Sequence, residues 1–314
     1  MRLAVLALLP VIALAGTLLT RPAAAEKPRL ALVVKSLANE FVVTMTQSAL
    51  AHQKQHAERY TLVAHGIRNE TDVAAQIRIV EQMVADKVDA LVISPVDSKA
   101  LVPAIQAAAS KGVLVVNIDN RLDAAALRAK GLHVPFVGPD NRAGARMVGA
   151  ALAKTLKAGD EVGIIEGVSS AYNAQQRTLG FQDAMRAAGI PVVAVHSGQW
   201  EIDKSHAVAT SMMRAHPDLK ALLAGNDSMA LGAVAAVKAA GKSGQVAIVG
   251  YDNIGAIGPM LKDGRVLATA DQFAARQAVF GIETALKALA ARTPQSGMPA
   301  EVKTDVVLVT RDTR

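Results

Sequence analysis

Residues 90–120 read ALVISPVDSKALVPAIQAAASKGVLVVNIDN. Two short β-branched runs, Ala90–Ile93 and Val113–Ile118, flank an Ala-rich segment, 98–110, with helical spacing. Each run is continuous rather than alternating, the pattern of a strand covered on both faces. Gly112 falls just past the helical segment, where the left-handed backbone of a helix C-terminus selects glycine. Strand, helix and strand in that order make a βαβ unit of a parallel sheet.

The same alternation extends in both directions. Apolar runs recur at Leu30–Val34, Leu62–Ala64, Val162–Ile165, Val192–Val195, Ala221–Leu223, Val246–Val249 and Val306–Val309. Helical spacing recurs near 42–57, 72–86, 142–157, 173–188, 204–215, 228–240 and 273–291, with Gly189 and Gly241 again just past helices. About ten such units exceed what one compact open sheet holds. Two half-size sheets fit better, with a change of unit near 128–138. No Ser/Gly-rich linker is present, so short strands rather than a flexible tether join the units. The stretch 305–310 reads as a strand added after a long helix.

The chain has 314 residues, 51% hydrophobic, which suffices for two cored domains. Aromatics are only 3%, so Ala, Val, Leu and Ile build the core and any aromatic near a strand end draws attention. There is no Cys, which excludes disulfides, thiolate metal sites, a Cys nucleophile and an N-terminal lipidated Cys. Arg2, the apolar stretch Leu3–Thr20 and the small residues Ala23-Ala24-Ala25 read as a signal peptide, residues 1–25, cleaved before Glu26. Its removal takes Arg2 and Arg21, leaving 32 basic against 27 acidic residues, a net +5. The basic residues are scattered, so no nucleic-acid footprint is expected.

In open α/β sheets ligands bind beyond the carboxyl ends of the strands. The polar residues cluster there. Lys35, Asn39 and Phe41 follow the first run; Asp119, Asn120 and Arg121 follow Val115–Ile118; Asn141 follows Phe136-Val137. Asn226 and Asp227 follow Leu223-Ala224, Asp252 follows Val249-Gly250-Tyr251, and Gln272 follows Leu267–Ala270. Carboxylates accept from neighbouring hydroxyls, amides and Arg donate in fixed geometry, and an aromatic face packs on a sugar's C–H face. The alternative for any one Asp or Asn is that it caps the next helix, and Asp227 reads as such a cap.

These segments together resemble the periplasmic sugar-binding proteins of the ribose-binding type, the type I periplasmic binding proteins, from Arg29 to the C-terminus. The residues that carry the resemblance are Leu30–Val34 with Asn39 and Phe41, Asp97-Ser98 after Ile93-Ser94-Pro95, Asn226-Asp227-x-Met229-Ala230-Leu231-Gly232-Ala233, and Val249-Gly250-Tyr251-Asp252. The resemblance implies an α/β fold of two similar doubly wound parallel-sheet lobes joined by a hinge. Lobe I would comprise 26–138 plus 273–303, and lobe II 139–272 plus 304–314. The hinge would lie near Asp140, near Gln272 and before Asp305. Asn39, Phe41 and Asp119 would contact ligand from lobe I. Arg177 and Trp200 would reach it from lobe II, with Asn226, Asp252 and Gln272 completing a polar ring. The chain departs from ribose-binding proteins at Lys35, at Val42 in place of a second aromatic, and at Asn120, with Arg121 displaced by one. Those departures count against ribose itself and leave open other pentoses, hexoses and acyclic polyols.

The implied function is a periplasmic solute-binding protein, not lipid-anchored, that delivers a monosaccharide or sugar alcohol to an inner-membrane ABC permease. The alternative is a ligand sensor for a chemoreceptor or sensor kinase, or a binder of a non-sugar hydroxylated solute. A monomer with no cofactor is expected. No P-loop, G-x-G-x-x-G before a helix, G-x-S-x-G or H-E-x-x-H motif suggests an enzyme. His52 and His56 share a helix face but have no evident third ligand, so no metal site is expected and they read as surface histidines.

Overall fold

The computed structural model describes residues 26–313; the expected signal peptide lies outside the described residues. The first half of the chain folds as β1 (Arg29–Ser36), α1 (Glu40–Gln55), β2 (Thr61–Ile67), α2 (Val73–Ala85), β3 (Ala90–Ile93), α3 (Val102–Ser110), β4 (Leu114–Ile118), α4 (Ala124–Ala129) and β5 (Phe136–Gly138). The second half repeats the alternation with α5 (Asn141–Ala153), β6 (Val162–Glu166), α6 (Tyr172–Ala187), β7 (Val192–Ser197), α7 (Ile202–Ala215), β8 (Ala221–Ala224), α8 (Asp227–Ala239), β9 (Ala247–Val249), α9 (Gly258–Asp263) and β10 (Ala268–Asp271). The chain closes with α10 (Ala274–Ala290), β11 (Glu301–Lys303) and β12 (Val307–Thr310).

Two six-stranded sheets result, in the orders β11-β5-β4-β3-β1-β2 and β12-β10-β9-β8-β6-β7. Both are doubly wound with helices on both faces, the architecture of a type I periplasmic binding protein. Gly112, Gly189 and Gly241 all take positive φ just past helices, as their spacing requires. The central strands β3, β4 and β8 are buried throughout. The runs Leu62–Ala64 and Val192–Val195 differ. They belong to β2 and β7, the edge strands, where one face lacks a covering layer and Val63 and Val195 are exposed.

The chain passes between sheets three times: β5 to α5, β10 to α10 and β11 to β12. All three crossings lie at the carboxyl mouths of the strands. This explains one departure from a purely parallel fold. β11 runs parallel to β5, so it delivers the chain to the mouth of the second sheet, and β12 must run back, antiparallel to β10. α10 packs on α1 and on β4, returning the chain to the first sheet after the second crossing. The assignment of whole segments to lobes follows these packings as a proposal.

Asn39, Asp72, Asp123, Asp140 and Asn226 cap their helices through side-chain oxygens. Helix α6 has no such cap of its own. Its first two N–H groups donate across the cleft instead, Tyr172 N to Ser98 Oγ (2.9 Å) and Asn173 N to Asn120 Oδ1 (3.2 Å). Glu40 does the reverse service for the second lobe. Its carboxylate accepts from Gly255 N (2.7 Å) and Ala256 N (3.3 Å), at the start of a 3-10 turn that leads into α9. The lobes therefore meet directly as well as around a cavity.

Candidate functional site

A cavity of about 210 Å³ lies between the two sheets' mouths, lined by Lys35, Asn39, Phe41, Asp119, Asn173, Arg177, Trp200, Asn226, Asp252 and Gln272. Each lining residue is at most 7% exposed.

On the first lobe, Lys35 Nζ lies 2.9 Å from Asp119 Oδ2, which also accepts from Ser94 Oγ at 2.6 Å. Both interactions engage Oδ2, so Oδ1 is the oxygen left for a ligand. Burial opposes the Lys35 charge, but Asp119 and Glu70 outweigh it and its pKa stands above the ordinary lysine value. Asn39 Oδ1 is occupied in accepting from Phe41 N (3.1 Å), the α1 cap, so the amide can offer a ligand only N–H. Asn226 repeats this on the second lobe: its Oδ1 accepts from Met229 N at 2.9 Å.

Arg177 is the most constrained side chain of the site. Nε donates to Asn141 Oδ1 (2.8 Å) and Nη1 to Gly225 O (2.9 Å), with Asp252 Oδ1 at 3.3 Å from Nη1. Its guanidinium lies 3.8 Å from the Tyr251 ring centroid and 5.4 Å from that of Trp200. Nη2 has no part in those bonds and is the donor available to the cavity. Asp252 Oδ1 also accepts from Gln272 Nε2 (2.6 Å), and Gln277 Nε2 holds Gln272 Oε1 at 3.1 Å. Burial pushes the Asp252 carboxyl up to about 8 against the pull of Arg177, so a ligand that donates hydroxyl protons to it relieves a real cost.

Trp200 closes the cavity, with Lys35 Nζ 5.7 Å from its ring centroid. The indole rests against Gly167 so closely that any Cβ there would collide with it. Three lining residues, Asp119, Trp200 and Asp252, have φ of +59°, +66° and +120°. Left-handed backbone at non-glycine residues is costly and persists where the surroundings enforce it, characteristically at binding sites.

Nine of the residues singled out in the sequence thus meet at one cavity: Lys35, Asn39, Phe41, Asp119, Arg177, Trp200, Asn226, Asp252 and Gln272. Three do not. Asn117 curls the turn after β4 back on itself, donating to Asn120 O (2.7 Å) and accepting from Leu122 N (2.8 Å). Asn120 is thereby turned to Pro95 O (2.8 Å) and to the α6 N-terminus. Arg121 is carried outward to Glu301 (2.9 Å) and over the Phe136 ring (4.3 Å). Asn141 stands behind Arg177 and orients it. Asn173 lines the cavity although the sequence reading passed over it; its position in the first turn of α6, four residues before Arg177, is the signal that could have found it.

Asp227, read as a cap, is not one. Asn226 caps α8, and Asp227 accepts from Thr269 Oγ1 (2.7 Å) and Ile254 N (3.0 Å), tying the turn after β9 to β10. His52 is likewise not a surface histidine. Nδ1 bonds Tyr60 OH at 2.8 Å and Nε2 lies 3.3 Å from Glu283, itself paired with Arg59.

Comparison with known proteins agrees with this fold. The sequence pattern of the family described as "Periplasmic binding protein domain" matches residues 30–293. A D-ribose/D-allose-binding protein of Pseudomonas aeruginosa is 67% identical over 285 residues, 91% of this chain and 89% of that protein. The crystal structure of an ABC transporter solute-binding protein from Burkholderia multivorans is 64% identical, with a TM-score of 0.89, covering 91% of this chain and 100% of that one. One from Actinobacillus succinogenes with bound D-allose is 34% identical, with a TM-score of 0.83, covering 91% and 98%.

Proposed function

The chain belongs to the periplasmic binding protein family, as a sugar-binding component of an ABC importer, and we propose that its cleft takes a D-aldose in ring form, D-allose or D-ribose. The observation that carries this is the division of labour around the cavity. Asp119 and Asp252 present acceptors; Lys35, Asn39, Arg177 and Asn226 present donors; Phe41 and Trp200 come from opposite lobes with apolar faces. Each hydroxyl of an aldose both donates and accepts, so a ring of alternating partners satisfies it without leaving buried groups unpaired. Each cavity carboxylate is held by a cation and a hydrogen-bond donor, an arrangement for accepting hydroxyl protons rather than for attack on a glycosidic bond. The relative named for D-ribose and D-allose and the structure bound to D-allose support the choice of sugar.

Ligand adds contacts available only when the lobes meet, so it shifts the population to the closed form. In this reading the closed form is the one offered to an inner-membrane permease, after residues 1–25 direct the chain to the periplasm and are removed. Titration calorimetry of residues 26–314 tests the ligand. D-allose or D-ribose should give saturable one-to-one heats. D-glucose, which differs from D-allose only at the 3-hydroxyl, should bind at least ~10-fold more weakly, about 1.4 kcal/mol. No heat with any aldose would overturn the proposal.

A further inference from the structure

Glu70 is 2% exposed, lies at the carboxyl mouth of β2 and does not itself line the cavity. It sits in Asn69-Glu70-Thr71, where Asn69 Oδ1 accepts from Thr71 N and Oγ1, both at 3.1 Å. That tight turn exposes Asn69 and Thr71 and leaves the middle residue buried. Glu70 Oε1 accepts from Asn39 Nδ2 at 3.1 Å, while Oε2 is buried with no hydrogen-bond partner. Stranding a carboxylate oxygen is expensive, and its surroundings include the Lys35 ammonium, which is drawn toward the charged form by Glu70 as well as by Asp119.

We propose that Glu70 is a positioning residue of the sugar site, one that orients the Asn39 amide and stands as a second carboxylate behind Lys35. The inference rests on the cleft being a sugar site. Asn39 is pinned at both ends: Phe41 N fixes its oxygen, and Glu70 takes one N–H. The second N–H is then the one group Asn39 can turn to a ligand. Without Glu70 the amide keeps its cap but loses the restraint on rotation. Lys35 pairs directly with Asp119 at the end of β4, and the other charges that act on it are Glu70, after β2, and Arg177, on α6. Asp119 already holds the nearest place on the ammonium, and Glu70 offsets the like charge of Arg177. Burial pushes the Glu70 carboxyl up, while Lys35 and the Asn39 hydrogen bond pull it back.

Two substitutions separate the roles. Glu70→Gln keeps an acceptor for Asn39 and removes the charge; Glu70→Leu removes both. With D-allose and D-ribose as probes in calorimetry, Glu70→Gln should weaken binding roughly 10-fold and Glu70→Leu more, while the melting temperature of sugar-free Glu70→Gln stays at the parent's. In a Lys35→Met background the Glu70→Gln loss should disappear, because the charge it balances is gone. A purely structural Glu70 would move the melting temperature and show no such coupling. If the parent binds and Glu70→Gln binds equally well in both backgrounds, the inference is overturned. If the parent binds neither sugar, the ligand assignment fails instead. Should Glu70→Leu not fold, the Gln variant and its coupling to Lys35 decide the matter alone.

Discussion

At the scale of single residues, the opposition between a helix cap and a ligand contact dissolves. Asn39 and Asn226 follow strands, cap the next helix through Oδ1, and by doing so aim their amide nitrogens at the cavity. The cap is the device that fixes the donor. This gives a sharp test at Asn226. Asn226→Asp keeps an acceptor for Met229 N but replaces the cavity-facing donor with a second acceptor, beside Asp252. Stability of the sugar-free protein should hold within about 1 kcal/mol, while sugar affinity falls by about 2 kcal/mol or more, roughly 30-fold. Asn226→Ala should lose both. Calorimetry with paired thermal melts reads the two effects apart; affinity surviving in the Asp variant would remove Asn226 from the ligand's partners. These residue types and their place after strands were legible in the sequence. The outward turn of Asn120 and Arg121 was not, because it depends on how Asn117 folds the loop back, a geometry that a list of polar residues does not contain.

At the scale of elements, the mouth of each strand carries the site, and the turn after β9 shows what holds such a mouth in shape. Asp227 is fully buried and accepts from Thr269 Oγ1 and Ile254 N. Burial nevertheless pushes it up to about 6 from 3.8. The folded state thus binds this proton more tightly than the unfolded chain. Its contribution is complete below about pH 4 and is lost as pH rises through about 6. Asp227→Asn removes that dependence. The stability difference between parent and variant should therefore move in the variant's favour from pH 4 to pH 7, by on the order of 3 kcal/mol. Urea unfolding at the two pH values checks it, and a difference that stays flat or moves the other way would show that hydrogen bonding outweighs burial here. All contacts of Asp227 lie within one lobe, so opening of the cleft does not confound the measurement. The strand-mouth rule found most of the cavity's lining from sequence alone. It missed Glu70 because the mouth of β2 was passed over, and it mistook Asp227 for a cap because adjacent Asn and Asp are equivalent as capping residues until coordinates assign one.

At the scale of the whole molecule, the two lobes are joined by contacts that involve no ligand. Glu40 receives the N–H groups of Gly255 and Ala256, and Ser98 and Asn120 receive those at the bare N-terminus of α6. Each pairing satisfies orphan helix-end donors of one lobe with acceptors of the other. Glu40→Ala leaves every cavity-lining residue intact and removes one of these contacts. Sugar affinity should fall about 3- to 10-fold, since less is gained on closing, and sugar-free scattering should report a larger radius of gyration than the parent's unless the parent is already fully open. Unchanged affinity would mean that this contact adds nothing to closure. The sequence by itself determined the alternating α/β architecture in two units and the chemistry at the strand mouths. Both follow from local periodicity and from the rule that a strand's last residues face its sheet's crevice. Tertiary structure alone decided which polar residues share one cavity, which brace them from behind, how the lobes cap each other's helices, and why the last strand runs backwards. Each of those depends on where a second sheet stands relative to the first, a relation between residues 53 to 215 positions apart that no local pattern encodes.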